Sequence, residues 1–286
     1  MQELSGKVAV ITGGGSGIGR AMALAFADEG MDIAIGDIEP AAGEAVAEEV
    51  RAKGRRAVVV TCDVTDLESV RGLAEAAKAE FGAYHVVCNN AGVISGGPTA
   101  ELSAAEWDWV LNVDLQGVVN GVIAFLPGLV EQGEGHIVNT ASIAGLVPLA
   151  APGVINYTTA KYGVVGITET LHDELAPMGV GASALCPGVV NTRIGQSARN
   201  RPESAGGPVP AEDMGAPLEL PPGMEMPRII GANVREPDEM AKRVVDGVKN
   251  NDLYIVTHPE TREAVEERFA AIMAAFDKLE ATLAAE

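Results

Sequence analysis

The amino-acid sequence predicts an α/β fold with a doubly wound parallel sheet. Short apolar runs alternate with amphipathic segments of helical period along the 286 residues, and a glycine-rich turn follows the first run. Continuous apolar runs are typical of strands that are buried on both faces of a parallel sheet. Because the alternation continues without a break, we expect a single domain over 1–286.

The elements follow from this alternation in chain order. The strands are predicted at 7–12, 31–36, 56–62, 84–88, 135–140, 180–186 and 253–257. The helices are predicted at 17–29, 40–53, 66–81, 103–131, 153–177, 238–250 and 260–283. Repeated crossovers between parallel strands place the ligand crevice at the carboxyl ends of the strands. Segment 191–236 breaks the alternation and is rich in Pro and Gly, so we expect it to be a substrate lid, with 258–286 as a C-terminal helical extension.

The glycine-rich turn at 12–19 is typical of dinucleotide binding, although its spacing differs from the more familiar G-x-G-x-x-G. Gly13 permits a tight turn, Gly17 lets the backbone approach a pyrophosphate, and Gly19 lets the following helix lie close to the sheet. The N–H groups at the start of that helix would face the phosphates. The turn therefore predicts a Rossmann-type sheet with a dinucleotide cofactor.

An acidic residue, Asp37, follows the second strand, where a carboxylate accepts hydrogen bonds from both hydroxyls of an adenosine ribose. Its charge would repel the 2′-phosphate of NADP. No Arg or Lys stands at Gly14 to Gly17 or at Ile38 to pair with such a phosphate. We therefore expect the cofactor to be NAD.

Composition and charge argue against several other classes of protein. The net charge of −20 would repel nucleic acid. The sequence lacks a signal-peptide core and any run of about 18 apolar residues, so we expect no membrane association and a cytoplasmic location. The cysteines each end an apolar run, which predicts buried thiols, and the histidines lack metal-ligand spacing, so we expect no metal site.

Three side chains suit proton transfer at the crevice. Tyr157 and Lys161 lie four residues apart on a predicted helix and therefore share one face. A free phenol has a pKa of about 10, and a nearby ammonium favours its ionised form. Ser142 follows the strand at 135–140, where its hydroxyl can bind a substrate oxygen and orient it towards Tyr157.

Together with other motifs, these residues resemble the classical short-chain dehydrogenase/reductase family. The shared motifs run in order from residue 7 to about 192 and are Thr12 to Gly19, Asp63-Val64, Asn89-Asn90-Ala91-Gly92, Asn112, Ser142, Tyr157 to Lys161 and Pro187-Gly188. The resemblance implies an oxidoreductase that transfers a hydride between a secondary alcohol and NAD. It also implies a homotetramer, or a homodimer, that associates through the helices at 103–131 and 153–177.

The resemblance also assigns a role to each matching residue. The implied catalytic residues are Asn112, Ser142, Tyr157 and Lys161. Among them Tyr157 would be the general acid/base, Lys161 would lower its pKa, and Asn112 would hold a proton-relay water. The implied cofactor-binding residues are Gly13, Ser16, Gly17, Ile18, Gly19, Asp37, Ile38, Asp63, Val64, Asn89, Tyr157, Lys161, Val190 and Thr192.

The substrate is expected to be a bulky apolar or aromatic alcohol, because the predicted pocket segments 93–94, 143–149 and 214–226 are largely apolar. Four lid arginines argue for a carboxylate or phosphate instead, namely Arg193, Arg199, Arg201 and Arg228. The abundance of oxidised NAD in cells favours alcohol oxidation. Two alternatives remain, an NADPH-dependent carbonyl reductase and a catalytically silent cofactor-binding interaction protein.

Two further features have no assigned role at this point. Trp109 is interpreted as a core or interface residue rather than a substrate contact. The C-terminal helix has an apolar face that is expected either to cover the substrate cleft or to pack on a neighbouring subunit. The residues of that face are Val265, Phe269, Ile272, Phe276 and Leu279.

Overall fold

Seven parallel strands form the centre of the computed structural model, which describes residues 1–96, 98–149, 154–209 and 233–285. In chain order the strands are β1 (Val8–Thr12), β2 (Asp32–Asp37), β3 (Ala57–Thr61), β4 (Val86–Asn89), β5 (Gly135–Thr140), β6 (Val180–Cys186) and β7 (Tyr254–Val256). They lie side by side in the order β3-β2-β1-β4-β5-β6-β7. The order reverses between β1 and β4, so the ligand crevice opens there at the carboxyl edge. The predicted doubly wound sheet is confirmed.

The helices follow the predicted alternation with one exception. They are α1 (Gly17–Asp28), α2 (Pro40–Ala52), α3 (Leu67–Phe81), α4 (Ala104–Leu111), α5 (Gly117–Gln132), α6 (Ile155–Leu175), α7 (Pro237–Asn250) and α8 (Arg262–Leu283). The helix predicted at 103–131 is present at Ala104–Gln132, and it contains a π-helical turn, Asn112–Gln116, between α4 and α5 that was not predicted. Such a turn widens the helix locally and recurs at functional sites.

Apolar side chains fill both faces of the sheet. On one face, Phe26 of α1 and Val244 of α7 are buried with Ile11 of β1. On the other face, Leu73 of α3 and Phe125 of α5 are buried in a second cluster. Each large apolar side chain that leaves water in this way stabilises the fold by about 1.5–3 kcal/mol. These two layers fix the strands whose carboxyl ends carry the site.

The stretch Ala104–Gln132 is long and apolar enough to span a membrane, with a mean hydropathy of 1.6. In the fold it packs against α3 and the sheet, and it buries Asp114 and Asn120. The core helix of a globular domain satisfies the same test of length and composition. Less than half of the most apolar window of this stretch is buried, and Ile123 and Val130 are among its exposed apolar residues.

The predicted C-terminal helix is present as α8, and it buries none of its residues within the described part of the chain. Its exposed apolar residues are Phe269, Ile272, Met273, Phe276, Leu279 and Leu283. The guanidinium of Arg268 in α8 lies 5.1 Å from the ring centre of Tyr162 in α6. This apolar face is available to a neighbouring subunit, and the expected homotetramer or homodimer stays a prediction.

Two helical glycines give a test of packing beside the crevice. A Cβ at Gly121 of α5 would lie 1.9 Å from Oδ1 of Asn89, whereas a Cβ at Gly72 of α3 would meet nothing within 4 Å. Gly121→Ala is expected to lower the free energy of unfolding by about 1–3 kcal/mol, because a buried side chain must shift. Gly72→Ala is expected to raise it by about 0.5–1 kcal/mol, since alanine favours the helix. Urea denaturation measures both, and equal changes would contradict this packing.

Candidate active site

The glycine turn joins β1 to α1 at the carboxyl edge of the sheet. Gly13 and Gly17 have φ angles of +62° and +52°, a region that side chains other than glycine rarely adopt. A Cβ at Gly13 would lie 2.8 Å from the Cα of Ala91, and one at Gly19 would lie 2.1 Å from the carbonyl oxygen of Gly13. Ser16 caps α1 without a hydrogen bond from its side chain. The turn therefore has the close backbone approach that phosphate binding requires.

Asp37 is buried at the end of β2 and is tied to the glycine turn. Its Oδ2 accepts the N–H of Gly15 at 2.7 Å, and its Oδ1 accepts the N–H of Glu39 at 2.9 Å. The carboxylate therefore has a fixed position beside the start of α1. Ile38, the next residue, is about half exposed.

The next residues expected at the cofactor lie after β3 and at the end of β4. Asp63 is exposed, and its Oδ1 accepts the backbone N–H of Thr65 at 2.9 Å. Val64 is buried, and its carbonyl oxygen accepts from Nδ2 of Asn120 at 2.8 Å. Asn89 is buried, and its Nδ2 donates to Oδ1 of Asn139 at 2.9 Å. All three lie along the carboxyl edge of the strands.

Ser142, Tyr157 and Lys161 are buried together at this edge. Ser142 follows β5, and its hydroxyl lowers the pKa of the Tyr157 phenol. Nζ of Lys161 lies 5.3 Å from the ring centre of Tyr157, one turn earlier on α6. Ser142 Oγ is itself fixed, since it accepts the N–H of Ala144 at 3.1 Å and donates to the carbonyl oxygen of Pro187 at 3.3 Å. The three polar groups thus converge on one point.

A fourth charged group, Asp114, lies in this cluster. Its Oδ2 is 3.0 Å from Nζ of Lys161, which also donates to the carbonyl oxygen of Thr140 at 3.0 Å. Its Oδ1 accepts the N–H of Val93 at 2.8 Å. The carboxylate is fully buried. Asp114 was absent from the predicted site, although a lone acidic residue between Val113 and Leu115 in an apolar stretch was a signal for it.

The structure does not bring Asn112 into the cluster. Asn112 begins the π-helical turn, is exposed, and lines a surface depression with Thr65 and Asp108. It precedes Asp114 by two positions, and two positions on a helix differ by roughly half a turn. The expectation that Asn112 holds a water beside Lys161 is therefore corrected, because Asp114 is the side chain that faces the lysine.

Burial and the ion pair act on the acidity of the cluster in opposite ways. Burial raises the pKa of the Tyr157 phenol above its ordinary value, Lys161 lowers it, and Asp114 raises it. Burial lowers the pKa of Lys161, but the Asp114 carboxylate and Tyr157 more than offset this and raise it.

Burial raises the pKa of the Cys186 thiol to about 12, so this nearby group is neutral. All three cysteines are buried free thiols, as predicted.

Apolar side chains enclose the Tyr157 ring. Trp109 of α4, Ala144 and Ala205 are buried in the same cluster as Tyr157, and Ile94 packs against it. Trp109 is buried in a core cluster, as interpreted from the sequence, and that cluster also contains Tyr157. The wall that faces the reacting group is therefore aromatic and aliphatic.

Residues 191–209 run from the glycine turn to this apolar wall. They form two short 3₁₀ helices, Ile194–Asn200 and Glu203–Ala205. Nε of Arg199 donates to Oε1 of Glu39 at 2.8 Å, just after Asp37, and Nη2 of Arg201 donates to Oε1 of Glu106 at 2.9 Å. The other predicted lid residues, Met214, Met224, Met226 and Arg228, lie outside the described residues.

The turn that follows β6 is held by a buried histidine. Nδ1 of His258 accepts the N–H of Gly188 at 3.0 Å, and Nε2 donates to the carbonyl oxygen of Val189 at 3.1 Å. Val190 pairs with Arg235 in an isolated bridge. Thr192 lies against the glycine turn, since a Cβ at Gly17 would be 3.1 Å from its side chain. Val190 and Thr192 therefore lie at the crevice, and His258, which the sequence analysis left without a role, fixes the turn before them.

A family model described as short chain dehydrogenase matches residues 7–203, which include the glycine turn and the Ser142, Tyr157 and Lys161 cluster. The chain belongs to this family. The family match ends at residue 203, so the family model does not cover β7 or His258.

Relatives and solved structures extend over nearly the whole chain. A C alpha-dehydrogenase from Sphingobium sp. is 33% identical over 96% of this chain and 87% of its own length. A CLA biosynthesis dehydrogenase/reductase from Lactiplantibacillus plantarum is 32% identical over 96% of this chain and 95% of its own. A short-chain dehydrogenase/reductase structure from Burkholderia phymatum in complex with NAD is 36% identical, with a TM-score of 0.84 over 96% of this chain and 97% of its own.

The role of His258 is tested by comparison with a second histidine. His258→Ala is expected to lower the free energy of unfolding by about 1–3 kcal/mol and to speed hydrogen exchange at the Gly188 amide, because buried partners lose their hydrogen bonds. His85→Ala is the control, since its ring is only half-buried and accepts one N–H, from Val8 at 3.2 Å. It should leave exchange at Gly188 unchanged. Equal exchange at Gly188 in both variants would contradict the assignment.

Proposed function

We propose that this short-chain dehydrogenase transfers a hydride between a secondary alcohol and NAD, with Tyr157 as the general acid/base. The observation that carries the proposal is the buried convergence of Ser142, Tyr157 and Lys161 at the carboxyl edge, beside the glycine turn. A panel of alcohols and ketones with NAD and NADP, followed by absorbance of the reduced nicotinamide, tests it. The absence of turnover with every pair would favour the catalytically silent alternative.

The residues of the crevice fit NAD. Gly13 and Gly17 have positive φ angles that favour glycine, and a turn without side chains at these positions would let its backbone N–H groups approach a pyrophosphate. Asp37 offers a carboxylate of fixed position to an adenosine ribose. Val190 and Thr192 would contact the nicotinamide carboxamide at the other end of the crevice. The NAD bound by the structural relative supports the same choice.

Each protein group has a distinct part in the chemistry. The nicotinamide, when bound, accepts the hydride that leaves the alcohol carbon with its electron pair. Ser142 would hold the substrate oxygen by a hydrogen bond, and the Tyr157 phenolate would take the hydroxyl proton as the C=O double bond forms. Lys161 would stabilise the phenolate and hold the nicotinamide ribose. In the reverse direction Tyr157 returns the proton to the carbonyl oxygen.

A bulky apolar or aromatic alcohol is the proposed substrate. The aromatic ring of Trp109 and the aliphatic groups of Ile94, Ala144 and Ala205 surround the Tyr157 ring. In the described residues, the lid guanidiniums of Arg199 and Arg201 are engaged by glutamates. Each of these two guanidiniums already has a carboxylate partner, which supports an apolar rather than an anionic substrate.

The NADPH-dependent alternative has one observation in its favour. The guanidiniums of Arg193 and Arg199 lie 3.8 Å and 2.8 Å from carboxylate oxygens of Glu39, two positions after Asp37. A 2′-phosphate near this point would meet both guanidiniums but also two carboxylates. Because Glu39 already pairs with these arginines, we infer that the cofactor is NAD rather than NADPH.

The acid/base role is tested with Tyr157→Phe. Removal of the hydroxyl is expected to lower turnover by about two to four orders of magnitude, the usual contribution of a positioned proton-transfer group. NADH affinity, measured by fluorescence titration, should persist because the ring remains. Tyr162→Phe on the same helix is the control and should keep turnover. Near-normal turnover of Tyr157→Phe would show that the proton goes elsewhere.

Cofactor preference gives a second test. We expect kcat/KM to favour NAD over NADP by at least tenfold, about 1.4 kcal/mol, because Asp37 repels the 2′-phosphate. Asp37→Asn should narrow this ratio. Asp32→Asn, at the opposite end of β2 and paired with Arg55 and Arg56, should leave the ratio unchanged. Equal or better use of NADP by the unaltered protein would refute the preference.

A further inference from the structure

The buried side chain directly before Tyr157 has no part in the chemistry proposed above. Asn156 is fully buried in the first turn of α6. Its Oδ1 accepts the backbone N–H of Tyr157 at 2.8 Å. Its Nδ2 donates to Oγ of Ser95 at 2.9 Å and to the carbonyl oxygen of Glu106 at 3.4 Å. A buried amide that is hydrogen-bonded through both its oxygen and its nitrogen fixes the groups that it binds.

The start of α6 needs such a partner. The first N–H groups of a helix have no acceptor within the helix, and the second or third of them ordinarily bonds to an oxygen of the N-cap side chain. The N-cap of α6 is Val154, whose side chain has no polar atom. The third N–H is that of Tyr157, and the Asn156 amide accepts it instead. The residue that carries the phenol is therefore held by its neighbour.

The same amide joins α6 to the elements that form the apolar wall around the Tyr157 ring. Ser95 directly follows Ile94, which packs against the buried cluster that contains Tyr157. Glu106 lies in the first turn of α4, the helix that carries Trp109 of the same cluster. Asn156 therefore links both parts of the wall to the backbone of the tyrosine.

We propose that Asn156 is a positioning residue that holds the Tyr157 phenol at a fixed distance from the substrate wall. The inference rests on the proposed proton transfer by Tyr157. A proton passes between two oxygens only within hydrogen-bonding distance, and a displacement of about 1 Å can lower a rate about a hundredfold. Within the described residues, the hydrogen bonds of Asn156 reach neither Ser142 nor Lys161, so it acts on the phenol through the backbone of Tyr157.

The first experiment measures alcohol oxidation by Asn156→Ala in two backgrounds. In the otherwise unaltered protein we expect kcat to fall by about ten- to a hundredfold while KM for NAD is retained, because the phenol is displaced and the cofactor residues are not. In the Tyr157→Phe protein the same substitution should lower kcat little further, because no phenol is left to position. A residue with only a structural role would lower kcat by the same factor in both backgrounds.

Thr168→Val is the matched control on the same helix. Thr168 is also fully buried, and its Oγ1 accepts from Nδ2 of Asn139 at 3.0 Å and donates to the carbonyl oxygen of Val164 at 2.7 Å. The loss of these hydrogen bonds should lower the free energy of unfolding, as the loss of the Asn156 amide does, but it should leave kcat unchanged. Near-ultraviolet circular dichroism establishes that each variant is folded.

A second pair of variants decides the matter even where Asn156→Ala does not fold. Ser95→Ala removes one acceptor of the Asn156 amide, whereas Ser95→Thr keeps the hydroxyl. We expect Ser95→Ala to lower kcat by a smaller factor than Asn156→Ala, and again only where the Tyr157 phenol is present. Ser95→Thr should retain kcat.

The environment of the phenol can also be measured without cofactor or substrate. Tyrosine labelled with ¹³C at Cζ gives one NMR signal for each of the four tyrosines, and the signal that is lost in Tyr157→Phe identifies Tyr157. Asn156→Ala and Ser95→Ala should both shift this signal, because each loosens the contact between the wall and the tyrosine. Thr168→Val should leave it in place.

Either of two results would overturn the proposal. One is an equal loss of kcat with and without the Tyr157 phenol. The other is a Tyr157 signal that stays in place in every folded variant of Asn156 and Ser95. Failure of every alcohol and ketone to react, together with a shifted signal, would refute the proposed function alone, because the NMR measurement needs neither cofactor nor substrate.

Discussion

The ion pair between Lys161 and Asp114 holds together the parts of the molecule that form the site. Its two members come from α6 and from the π-helical turn, and their remaining bonds reach the carbonyl oxygen of Thr140 in β5 and the N–H of Val93 after β4. Removal of one member from a buried ion pair costs about 3–5 kcal/mol, because the other charge is left uncompensated. The position of Lys161 and the fold around it therefore depend on the same contact.

Much of the fold and part of the site could be predicted from the sequence. Continuous apolar runs indicate strands that are buried on both faces of the sheet. They predicted the first and last residue of each strand to within about two residues. The glycine turn was visible because positive φ angles and close packing require glycine, as at Gly13 and Gly19. The four-residue spacing of Tyr157 and Lys161 placed them on one helix face. Each of these signals is local, so a single stretch of sequence contains it.

Two kinds of feature could not be predicted. One depends on which face of a helix a residue occupies, and the other depends on contacts between residues far apart in the sequence. The π-helical turn shifts the phase of one helix, and it brings Asp114 rather than Asn112 to the lysine. Hydropathy does not show this, because an acidic residue in a helix is ordinarily assigned to the solvent face. The pairing of Arg199 with Glu39 joins positions 160 apart in the chain. Such contacts become evident only when the strands lie side by side.

The histidine clamp on the turn after β6 has a consequence for the growing chain on the ribosome. His258 is synthesised 70 residues after Gly188, whose N–H it accepts. At a synthesis rate of about 5–20 residues per second, His258 is added to the chain roughly 4–14 s after Gly188. During this interval β1, β4, β5 and β6 can pair, while Gly188 and Val189 lack the ring that holds them. The hydrogen bonds that hold this turn therefore form only after most of the chain has been synthesised.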